Sequence, residues 1–90
     1  MIKSPNDKKQ YLPHTLKNGL RVLLIENHKH NKAAAALAVN AGHFDDPKHR
    51  EGLAHFVEHM LFLGTQKYPD GSEYQKFISS NGGTTNAWTA

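Results

Sequence analysis

Hydrophobic and polar positions along the chain change period several times, and each change predicts an element. Residues 1–13 carry polar and charged positions without a period and read as an irregular lead-in. In "HTLKNGLRVLLIEN", Thr15 and Leu16 precede an Asn18-Gly19 turn signal, and residues 20–26 form an apolar strand-like run, which together predict a hairpin. "ENHKHNK" is the next turn. "AAAALAVNAG", residues 33–42, favours helix by its alanines, but it is short, lacks polar periodicity and ends at Gly42; we read it as a buried strand of small side chains. "HFDDPKHRE" follows as a polar loop. A helix is expected over residues 52–63, stopped by Gly64. After the loop "TQKYPDG", Ser72 and Gln75 have the S-x-x-Q spacing of a capping box. They would open a helix over "SEYQKFISS" with Tyr74, Phe77 and Ile78 on one connected face. "NGG" ends that helix, and "TTNAWTA" reads as a final strand.

These elements predict an α+β fold: a mixed or antiparallel sheet with helices packed on it. Ninety residues suffice for one modest core and are too few for two domains. We therefore divide the chain into the lead-in, 1–13, and a single structured portion, 14–90. A run that stops on a strand pattern without a turn suggests the opening of a larger domain.

Composition narrows the chemistry. Cysteine is absent, so a disulfide scaffold and a thiolate metal site are both excluded, and any metal must use His, Asp or Glu. The formal charge is +3, and most lysines precede residue 50 in runs that read as a solvated face. Nucleic-acid binding would need an aromatic platform or a basic recognition helix, and neither appears. No run reaches the length of a membrane span, and no secretory signal is visible. The cytoplasm is the default location, with the periplasm left open.

The run "GLAHFVEHMLFLG" holds the chemistry. On a helix of 3.6 residues per turn, His55 and His59 are four apart and share a face, and Glu58 flanks the same stripe. Leu53, Phe56, Val57, Met60 and Leu61 occupy the broad opposite side, and Phe62 lies near the polar stripe as a wall or as core. Two imidazoles on adjacent turns can grip one zinc ion, and a carboxylate beside them is placed to act as a base. A satisfied core pair of histidines is the competing reading, and by itself an i, i+4 pair would favour it. The order H-x-x-E-H inside an apolar helix is a metallopeptidase motif and shifts the balance. His14, His28, His30, His43 and His49 have no comparable context, and Glu51 is assigned a loop or first-turn role.

"GLAHFVEHMLFLGTQKYP" closely resembles the insulinase, or pitrilysin-like, family of zinc peptidases. The likeness extends through "LKNGLRVLLIEN", "AAAALAVNAGHFDDP" and "EYQKFISSNGGTTNAWTA", from about residue 14 to residue 90. It implies that His55 and His59 are zinc ligands, that Glu58 is the general base, and that the chain opens the N-terminal catalytic domain of a metalloendopeptidase acting on peptides or small proteins. It also implies a third ligand, a glutamate on a later helix with no counterpart here, so these residues alone would be inactive. "NAWTA" resembles the family's edge strand, against which a peptide lies as an added strand; Asn86 and Ala87 would bind it, the alternative being ordinary sheet pairing. Some members of this fold are structural or peptide-holding subunits, and that is the alternative function. An exposed strand edge and apolar faces further predict that the chain self-associates.

Overall fold

A computed structural model describes all 90 residues, in two units: Met1–Ala36 and Leu37–Ala90. The first is a hairpin. Strand β1, Gln10–Thr15, pairs antiparallel with β2, Arg21–Glu26, in the register Thr15↔Arg21 to Gln10↔Glu26. The strand therefore begins inside what the polar lead-in, 1–13, had claimed. Pro13 is tolerated there because pairing alternates. The Leu16 N–H donates to the Leu20 carbonyl at 2.8 Å, which places Pro13, three residues earlier, at a position that needs no ladder donor. The turn is also longer than the Asn-Gly signal predicts. A two-residue type I′ turn needs positive φ at both central residues, and here only Gly19 has it, at 89°. Residues 17–19 instead form a three-residue loop, with the Asn18 side chain accepting from the Leu20 N–H at 3.1 Å.

In the second unit a 3₁₀ turn, His43–Asp45, interrupts the expected polar loop, and two helices follow: α1, Leu53–Met60, and α2, Glu73–Ser80. Helix α1 stops three residues short of the expected end at Leu63. Its last hydrogen bonds tighten to i→i−3 spacing, from Phe62 N–H to the His59 carbonyl and from Leu63 N–H to the Met60 carbonyl. Gly64, at φ 100°, then turns the chain as expected.

Three expectations fail here. The capping box at α2 is not formed: Ser72 is helical in backbone and makes no side-chain cap. Its hydroxyl instead donates to Asp70 Oδ1 at 2.7 Å, and its N–H donates to the same oxygen at 2.9 Å. Residues 33–42 form no strand, and residues 33–41 are exposed rather than buried. A buried strand needs a neighbour for its ladder and cover for its faces, and this segment has neither. Residues 84–90 likewise join no ladder. Their one backbone link outside the segment is the His43 N–H donating to the Ala90 carbonyl at 2.9 Å.

The fold class is α+β, with one small antiparallel sheet and two helices. The expected core is absent, because no residue is fully buried. The apolar side of α1 is open, with Phe56 61% and Leu61 70% exposed. Accessible surface totals 8941 Å², against about 5,300 Å² for a compact protein of this mass.

Candidate metal centre

Helix α1 turns the spacing of its motif into proximity. His55 Nε2 and His59 Nε2 lie 3.0 Å apart, and the two rings are 4.7 Å between centroids. The Glu58 carboxylate is 4.0 Å from His59 Nε2 and is 14% exposed, whereas His59 is 70% exposed. One donor atom from each of the three residues falls within 4.8 Å of the others. Two imidazole nitrogens on a tetrahedral zinc at ordinary bond lengths sit about 3.3 Å apart. The observed pair is close to that separation, so the donor set fits zinc in both chemistry and spacing. Glu51 stands outside the cluster, as do the five other histidines: His28 meets Glu26 and His43 meets Asp46.

The trio forms one wall of a cleft of about 340 Å³ within the second unit. Phe62, from the turn after α1, lines it as an apolar side. Gln75 of α2 and residues 85–89, including Asn86, Ala87 and Trp88, complete it. The two substrate-binding candidates thus share a cleft with the metal-binding candidates, although residues 84–90 lack strand pairing. Tyr74 links these parts. Its ring lies 6.0 Å from that of Phe62, and its hydroxyl is 3.3 Å from Thr85 Oγ1.

Reading the sequence missed Gln75, Thr85 and Trp88 as lining residues. Gln75 was assigned to a capping box, and the box's failure leaves its side chain free to line the cleft. Trp88 lies in the run "TTNAWTA", and nothing in its spacing marks it as a lining residue.

Residues 21–90 match the model of the family described as Insulinase (Peptidase family M16). The chain belongs to the insulinase family. Among its relatives, the insulin-degrading enzyme of Homo sapiens is 50% identical over 90 residues, all of this chain and 9% of that protein. The A-factor-processing enzyme of Saccharomyces cerevisiae is 49% identical over 89 residues, 99% of this chain and 9% of that protein. The insulin-degrading enzyme-like 2 protein of Arabidopsis thaliana is 48% identical over the whole chain, again 9% of its own length. The chain therefore spans about a tenth of the curated relatives it matches. The insulinase match begins at Arg21, the first residue of β2, and includes the whole cleft. No helix of the chain is long and apolar enough to cross a membrane.

Proposed function

We propose that this chain supplies the metal-binding segment of a zinc-dependent endopeptidase, with residues 14–90 opening its N-terminal catalytic domain. The observation that carries the reading is the convergence of His55, Glu58 and His59 in one cleft of an insulinase-family chain. His55 and His59 are the zinc ligands, and a glutamate on a later helix is the third. When bound, zinc would polarise the scissile carbonyl and acidify a water molecule.

The chain's own residues do the rest. Glu58, largely sheltered and beside the ligands, takes the proton from the attacking water and returns it to the leaving amine, so no covalent intermediate is needed. The Asn86 and Ala87 carbonyls offer acceptors to an extended peptide, the Ala87 N–H being taken by Asn86 Oδ1 at 2.9 Å, and Phe62 and Trp88 give the cleft apolar walls. The substrate is a peptide or small protein, handled in the cytoplasm.

The test is made on the full-length protein. Glu58→Gln should lower peptide turnover by 10²-fold or more, on the order of a lost general base, while zinc content stays near one per chain. His59→Ala should lose both. Full turnover in Glu58→Gln would defeat the assignment of Glu58 as the base, and a zinc-loaded wild type without turnover would defeat the endopeptidase reading and favour a structural or peptide-holding role. The 90 residues alone lack a third ligand and should be inactive. Leu24, Ile25, Phe56, Phe77 and Trp88 are each more than half exposed, so the isolated chain should also self-associate. Sedimentation across a concentration series checks this, and a single monomeric species throughout would refute it.

A further inference from the structure

One carboxylate, well upstream of the motif, ties down the start of the zinc-binding helix. Asp46 Oδ2 accepts from the Gly52 N–H at 2.7 Å, and Oδ1 accepts from the Ala54 N–H at 2.9 Å. Oδ2 also meets His43 Nδ1 at 3.3 Å, and the Asp46 side chain is only 4% exposed. These contacts replace a local cap. The residue preceding α1 is Gly52, at φ 90°, which has no side chain to offer the orphan N–H groups of the first turn. The negative charge also sits at the favourable end of the helix dipole.

The consequence for the motif is asymmetric. Helix α1 has eight residues, and helices this short are marginal without outside support. His55 is its third residue, next to Ala54, whereas His59 lies in its last turn. If the first turn frays, His55 is released while His59 keeps its place. The 3.0 Å approach of the two Nε2 atoms depends on both being helical.

We infer that Asp46 is a positioning residue for the metal centre, holding the first turn of α1 so that His55 stays in register with His59. The inference rests on the reading that these histidines are the ligands. Asp46 touches neither metal nor substrate. It acts through the Gly52 and Ala54 amides.

The experiment uses the full-length protein with Asp46→Ala and Asp46→Asn. Asparagine keeps one carbonyl acceptor and so supplies a graded variant. Zinc affinity, read by competition with a chelator, should fall by about 10- to 100-fold in Asp46→Ala, the range for outer-shell partners of metal ligands, and by less in Asp46→Asn. Saturating zinc should restore kcat without changing KM. In the metal-free protein, hydrogen exchange should quicken in peptides covering residues 52–56 of Asp46→Ala and stay unchanged over residues 73–80.

Wild-type zinc affinity in Asp46→Ala would overturn the assignment. So would faster exchange spread evenly through both helices, which would mark general destabilisation. A wild-type protein that binds no zinc would sink the peptidase reading by itself, whereas the exchange pattern of the metal-free protein decides whether Asp46 holds the first turn.

Discussion

In the hairpin, each residue of Gln10–Thr15 faces one residue of Arg21–Glu26, and the ladder's own backbone groups hold the pair together. In the second unit, the 3₁₀ turn and the starts of both helices are held by aspartate side chains reaching backbone N–H groups. Asp45 takes Gly42 at 2.8 Å, Asp46 takes Gly52 and Ala54, and Asp70 takes Ser72. The hairpin repeats a rule that many sequences satisfy. The second unit depends on single residues at single places, so a change of one atom there should matter more than a change of one residue in the ladder.

Glycine substitutions give the widest separation. A Cβ on Gly64 would lie 2.7 Å from the Tyr68 carbonyl oxygen, and φ there is 100°. Gly19 has φ 89° but nothing within 4 Å. Gly64→Ala should therefore add a backbone clash to the cost of positive φ, for about 3 kcal/mol or more. Gly19→Ala should cost only the conformational part, about 1 kcal/mol. Thermal unfolding of the two full-length variants would compare them, and equal losses would erase the distinction between the regions.

Acid should come next. Hydrogen bonds from the Ala54 and Gly52 amides, with the nearby His43 ring, hold the Asp46 carboxyl below its ordinary value of 3.8, against the opposing effect of burial. A lowered carboxyl stabilises the fold above its unfolded pKa and loses that contribution as pH falls through the folded one. Amide protection at Gly52 and Ala54 should hold from neutral pH down to about 5 and disappear only below the ordinary carboxylate range. No carboxylate accepts a backbone N–H within the ladder of β1 and β2; the lowered carboxyl nearest to it, Asp7, holds the Tyr11 hydroxyl and the Lys9 N–H outside the cross-strand bonds. The ladder's protection, followed by the same exchange measurement, should show no step in that window.

The smallest effect is expected at α2. If Ser72 and Gln75 formed a capping box, Gln75→Ala would cost about 1 kcal/mol. Since Asp70 holds Ser72 instead, Gln75→Ala should change stability by less than about 0.5 kcal/mol, while altering KM for peptides through the cleft it lines. A loss of stability with unchanged KM would reinstate the box.

What could be read from the sequence follows this division. Periodicity located both helices and β2, because apolar spacing reports which face an element presents. The i, i+4 spacing of His55 and His59 placed their donors together because helix geometry alone converts that spacing into distance. Residues 33–42 read as a strand from shortness and missing polar periodicity, against the helix that their alanines favour, and residues 84–90 from their local pattern; but a strand exists only through its neighbour, and a pattern within one segment cannot supply one. Asp46 was read as loop for a related reason. Its partners lie six and eight residues away, beyond any capping signature, which spans only three.

The large accessible surface of the chain has a thermal consequence. Folding these 90 residues as they stand removes about 5,700 Å² from water, taking the unfolded chain at about 14,600 Å², since 8941 Å² remains accessible. A compact protein of equal mass would remove about 9,300 Å². The heat-capacity increment of unfolding scales with that difference, so it should be about 60% of the roughly 1.2 kcal/mol/K ordinary for this length. With so little surface gathered into one transition, a calorimetric trace of the isolated chain, taken at a concentration where it stays monomeric, should show a broad, shallow rise in place of a peak.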